Sequence, residues 1–188
     1  MTDSMSRTSR FSLLLVLLVS VVGVDQASKQ YAMTHWAHWE GQPGQSYLGD
    51  LFRITFAKNE GAFLSLFGTL SDSLRYLLLV VGNGIFMAVL VLWLLGTPRI
   101  DRWNCVAWAL VFVGGVGNLI DRIRFHAVID FLNLGIGSSF RTGIFNVADM
   151  AITVGFVMLV PQIFKSVPEE AVAPLKTSPA PTPPGSPS

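Results

Sequence analysis

Four apolar runs constrain this chain more than any other feature. Residues 11–24 read FSLLLVLLVSVVGV, 74–95 read LRYLLLVVGNGIFMAVLVLWLL, 103–120 read WNCVAWALVFVGGVGNLI, and a fourth run extends from Val147 to Phe164. A helix rises about 1.5 Å per residue, so about 20 apolar residues are needed to cross the hydrocarbon of a bilayer. The second run suffices alone. The first supplies only about 21 Å at that rise, so its helix is expected to continue through Asp25 towards Met33. Arg7 and Arg10 before it give the look of a signal-peptide core, yet no small-x-small cleavage site follows.

Composition supports a membrane class. Only 13% of the 188 residues are charged, against about 25% in soluble domains. The net charge of +1 carries no basic stripe, which excludes a nucleic-acid surface. Cys105 is the single cysteine and falls inside an apolar run, so no internal disulfide can form and a buried thiol is expected. His35, His38 and His126 do not make a ligand set, and neither a metal nor another cofactor is expected.

Four crossings put both termini and the short link GTPRIDR (96–102) on one side. The longer loops 34–72 and 121–146 then lie on the other. Six of the thirteen Lys and Arg fall on the terminal side, so the total does not decide orientation. Arg7, Arg10, Arg99 and Arg102 crowd short segments beside helix ends, where the positive-inside rule weighs most, and they place the termini in the cytoplasm. The predicted fold is an all-α membrane protein of four transmembrane helices with a small extracytoplasmic β cradle. Residues 1–10 form an N-terminal tail, 11–165 the helical unit, and 166–188 a Pro-rich tail read as disordered. The cradle is expected at about 48–67, where Phe52 to Lys58 alternate apolar and polar and KNEGA supplies a turn.

This topology collects polar residues at one face. Asp25 lies near the outer end of the first helix, Asn118 and Asp121 at the outer end of the third, and Asn146 and Asp149 at the outer start of the fourth; Asn59 and Asp130 join them from loops. Charges within a membrane are costly, so such residues are paired or functional. Two carboxyls sharing one proton can activate water with no metal and no nucleophilic side chain. Asp149 could equally be a first-turn acid and Asn146 its N-cap. For its partner, Asp121 is followed by Arg122, which suits an ion-paired structural acid. Asp130, in AVIDFLNL, is flanked by apolar residues, and desolvation there would raise its pKa as a shared-proton pair requires. The glycines at 114, 115 and 117 allow close helix contact. A transporter was the competing class, since intramembrane acids often mark ion paths. The inner halves, however, offer little polarity beyond Asn83 and Asn104. A structural scaffold, with every acid a cap or a snorkelling partner, was the third.

Four blocks in order carry a resemblance: VDQASKQYA (24–32), NEGAFLS (59–65), GGVGNLIDRIRFHAVIDF (114–131) and FNVADMAITVG (145–155). Together they resemble the bacterial lipoprotein signal peptidase (signal peptidase II) family over roughly residues 12–164. The resemblance implies an intramembrane aspartic endopeptidase of the cytoplasmic (inner) membrane, active near the outer leaflet. It would cut prolipoproteins before a diacylglyceryl-modified cysteine, with membrane lipid around it and no partner subunit. Asp130 and Asp149 match the family's catalytic pair. Asp25, Asn59, Gly61, Asn118, Asp121, Arg122 and Asn146 match its supporting and substrate-contact positions. Phe63 and Leu64 stand where the family usually has Ala-Phe, and Gly143 replaces a common proline, which is expected to loosen that loop.

Overall fold

The computed structural model describes residues 4–61, 71–137 and 140–165. Phe63, Leu64, the end of the expected cradle and the Pro-rich tail lie outside them. Helix α1 spans Arg7–His35, α2 Asp72–Gly96 and α3 Arg102–Phe125. These three are long and apolar enough to cross a membrane. Helix α4, Val147–Lys165, has the shorter apolar stretch Val147–Gln162, about 24 Å at the helical rise. As expected from its length, the first helix runs unbroken past Asp25, with a π-wound stretch at Leu18–Val22.

Burial is inverted relative to a soluble protein. Phe11, Val16 and Val19 on α1, Ile85 and Leu92 on α2, and Phe156 and Val157 on α4 are exposed. Asp25, Lys29, Asn118, Asp121, Asp130 and Asn146 are buried. An apolar exterior around polar pairs is stable when the exterior faces lipid. Cys105 is buried in a cluster with Leu14, Leu90, Leu94 and Ala109, as its apolar surroundings suggested.

One end of the bundle is closed by backbone-directed bonds. Met5 N donates to Ile100 O at 3.1 Å. The buried Arg10 Nη1 donates to Leu94 O at 2.6 Å and to Thr97 O at 2.7 Å, satisfying carbonyls at the end of α2 where a cation is favoured. Asp101 caps α3 by accepting from Asn104 N. The chain start and the 97–101 link therefore share an end, as the four-crossing topology required.

The opposite end carries a four-stranded antiparallel sheet in the order β1 (Gln45–Tyr47), β2 (Phe52–Asn59), β3 (Val128–Ile136), β4 (Phe140–Arg141). The expected cradle is corrected here. The β1–β2 turn is at 48–51, not KNEGA, with Leu48, Gly49 and Asp50 all at positive φ. Arg53 donates to both oxygens of Asp50 at 2.5 Å, and Ser46 Oγ to one at 2.7 Å. Those bonds hold the Asp50 carboxyl down at about 2. The second partner of β2 is β3, which comes from the other outer loop, and a bulge between Ile54 and Ala57 shifts the register.

Helix α3 holds the bundle together through small residues. A Cβ at Gly117 would lie 2.8 Å from Asp25 Oδ2 and 3.1 Å from Ala148 Cβ; at Gly155 it would lie 2.6 Å from Ala107 O. Their absence lets α1 and α4 meet α3 closely, as read from the glycines. A Cβ at Gly114 would fall 2.7 Å from Ile152 Cγ1 and nearer still to the Ala148 carbonyl. Gly114→Ala should therefore cost about 1–3 kcal/mol and lower the thermal midpoint in detergent. Gly23→Ala, where a Cβ meets nothing within 4 Å, should leave it unchanged or raised. Equal melting of the two variants would contradict the packing account.

Candidate active site

The site is assembled where α3, β3 and α4 meet. Helix α3 ends on His126 in the left-handed region (φ 57°), and the chain turns directly into β3. Asp121 Oδ2 accepts from Ile129 N at 3.1 Å, tying the last turns of α3 to the strand that carries Asp130. Three residues beyond the strand's midpoint partners, the chain returns. Phe145 O accepts from Leu132 N at 2.8 Å, and Phe145 N donates to Leu132 O at 2.8 Å. The backbone just before Asn146 is thus fastened beside Asp130. The Gly143 segment is tied as well, since Asn133 Nδ2 donates to Thr142 O at 2.6 Å and to Gly143 O at 3.4 Å.

Asn146 and Asp149 then cap α4 reciprocally. Asp149 N donates to Asn146 Oδ1 at 2.9 Å, and Asn146 N donates to Asp149 Oδ2 at 3.2 Å. The capping reading of these two residues is correct, and it does not use up either side chain. Asn146 Nδ2 reaches Asp130 Oδ1 at 2.6 Å, and Asn118 Nδ2 reaches Asp149 Oδ1 at 2.7 Å. Asn59, near the end of β2, donates to Asp130 Oδ2 at 3.1 Å, while its own Oδ1 is buried with no partner among the described residues. Two carboxyls are therefore suspended from three amides.

Asp130 is 2% exposed. Burial, and next the nearby Asp149, raise its pKa to about 7, against the lowering effect of its amide donors. The desolvation inferred from AVIDFLNL is present.

Asp25 and Asp121 form a separate cluster. Lys29 Nζ lies 2.9 Å from Asp25 Oδ2 and 2.8 Å from Asp121 Oδ2, with all three side chains at 1% exposure or less. Asp121 is ion-paired as expected, but its partner is Lys29 rather than Arg122. Asp25 Oδ1 also accepts from Ala148 N at 2.8 Å, satisfying a donor in the first turn of α4. Arg122 instead donates to Gly61 O at 3.5 Å and stands within electrostatic reach of Asp149 and Asp130. It also lines a cavity of about 470 Å³ with Glu60, Arg75, Tyr76 and His126, between the outer ends of α2 and α3.

All nine residues singled out in the sequence thus lie in this region. Lys29 and Gln26 were missed. Gln26 Nε2 donates to Asp121 Oδ1 at 2.9 Å and to Gly117 O at 3.2 Å. A signal existed for Lys29, which sits four residues after Asp25, the spacing at which helical ion pairs meet. No group of three or more His, Cys, Asp or Glu among the described residues is arranged to hold a metal.

Comparison with known proteins gives the family. The model of signal peptidase (SPase) II matches residues 17–165. The lipoprotein signal peptidase of Pseudomonas fluorescens strain Pf0-1 is 38% identical over 170 residues, covering 88% of this chain and 95% of that protein. The lipoprotein signal peptidase of Yersinia enterocolitica is 36% identical over 156 residues, covering 83% and 89%. A bacterial membrane enzyme solved by the in meso method at 1.9 Å superposes with a TM-score of 0.68 at 27% identity, covering 88% of this chain and 99% of that one. The chain belongs to the signal peptidase II family.

Proposed function

We propose that this protein is an intramembrane aspartic endopeptidase that removes signal peptides from prolipoproteins, cutting on the N-terminal side of a diacylglyceryl-modified cysteine. The observation that carries the reading is Asn146, which binds both Asp130 and Asp149 and so fixes two carboxyls at one place in a signal peptidase II chain. Such a pair shares one proton, because two adjacent anions are disfavoured. Asp130, whose pKa is raised, holds that proton, and Asp149 takes a proton from the attacking water. The water oxygen bonds to the scissile carbonyl carbon while Asp130 gives its proton to the carbonyl oxygen. In the collapse of the tetrahedral intermediate, the C–N bond breaks. The leaving nitrogen receives the proton held by Asp149, and a hydroxyl proton returns to Asp130.

The free Asn59 Oδ1, the Arg122 guanidinium and the cavity beside it are suited to a peptide backbone entering from the outer side. In this reading the termini are cytoplasmic, the sheet and the dyad face the outer leaflet of the inner membrane, and one chain suffices. The substrate's lipid stays in the bilayer, which gives the site its depth.

Purified protein in detergent, given a synthetic lipobox peptide bearing diacylglyceryl-cysteine, should release a single fragment ending just before that cysteine, read by mass spectrometry. The same peptide with an unmodified cysteine should be cleaved at a rate lower by tenfold or more, about the 1.4 kcal/mol that the buried lipid must supply. Equal cleavage of both peptides would sink the lipid requirement.

A pH profile tests the proton assignment. The Asp130 proton is present below its raised pKa and lost above it, so kcat should fall as pH rises through about 7. A rate flat from pH 6 to pH 9 would refute Asp130 as the proton donor.

A further inference from the structure

We infer that Lys29 is a positioning residue for the dyad, acting through the amide of Asn118. The inference rests on the peptidase reading above. An ammonium has three donors and no acceptor. Lys29 Nζ places them on Asp25 Oδ2, Asp121 Oδ2 and, at 3.1 Å, Asn118 Oδ1. The atom of Asn118 facing Lys29 must therefore be its oxygen, which turns the NH2 group towards Asp149 Oδ1 at 2.7 Å. The same oxygen accepts from Asn146 Nδ2 at 3.1 Å, so the second amide is held in the orientation that serves Asp130. A flipped Asn118 would set a carbonyl oxygen against both the Asp149 carboxylate and nothing that could donate to it.

The charged groups around this relay are few. Lys29 is faced by Asp25 on its own helix and Asp121 on α3. Asp149 on α4 and Asp130 on β3 are reached through the amides, with Arg122 of α3 on their far side. The two acids beside Lys29 are already saturated from elsewhere, Asp25 by Ala148 N and Gln26, Asp121 by Ile129 N and Gln26. Ion pairing alone thus does not require the third bond of Lys29, to Asn118.

The test separates orientation from folding. Asp121→Asn keeps Lys29 and should hold kcat within about tenfold of wild type. Lys29→Met combined with Asp121→Asn leaves the net charge of the cluster unchanged but removes the ammonium. Its kcat for the lipidated peptide should fall a further 10- to 100-fold, the scale of a misplaced reacting group, with KM and the thermal midpoint near those of Asp121→Asn. In an Asn118→Ala background the loss of Lys29 should add nothing, since coupled residues are not additive. Should the Met variant not fold, Lys29→Arg, which also offers donors only, should retain kcat within tenfold. The inference is overturned if kcat matches Asp121→Asn, if the losses of Lys29 and Asn118 multiply independently, or if a well-folded Lys29→Arg is inactive. Asp149→Asn serves as the reference: activity there would sink the peptidase reading itself, whereas its silence with no Lys29 effect would sink this inference alone.

Discussion

The site depends on one amide being pulled two ways. The oxygen of Asn146 accepts from the backbone of Asp149, as an N-cap must, and the geometry of an amide then sends its nitrogen to Asp130 and to Asn118. Helix α4 cannot start elsewhere without giving up that cap. The pairing of Phe145 with Leu132 brings the helix start to the strand. The separation of the two carboxyls is thereby set by secondary structure rather than by loop conformation, which is how a site is kept rigid.

The membrane setting explains why so much polarity is sequestered here. Each buried charge needs a partner, since an unpaired ion in a medium of low dielectric is far more costly than a paired one. Lys29 answers Asp25 and Asp121, and the pair of acids in the dyad shares a proton. The small residues of α3 make this possible. At Gly117 the space a side chain would occupy is taken by the Asp25 carboxylate and Ala148, so the cation cluster, the cap of α4 and the helix packing are one construction.

Much of this was legible in the sequence. Apolar length placed the helices, and following the first run past Asp25 was right because fourteen residues cannot cross. The apolar neighbours of Asp130 foretold its burial. What failed was pairing. KNEGA looked like a turn because β2 was assumed to fold onto the residues after it, yet its partner β3 lies about seventy residues on, and no local pattern reports register at that distance. Likewise Arg122 seemed the partner of Asp121 because it is adjacent in sequence. Successive residues on a helix point apart, and the true partner, Lys29, comes from another helix.

The measurement that bears most directly on the account is the turnover of lipidated peptide by Asp130→Asn and Asp149→Asn, with folding checked by thermal melting. If the two carboxyls carry the reaction, each variant should melt near wild type and lose about 10²- to 10⁴-fold in kcat. A folded variant of either kind that turns over at the wild-type rate would contradict it.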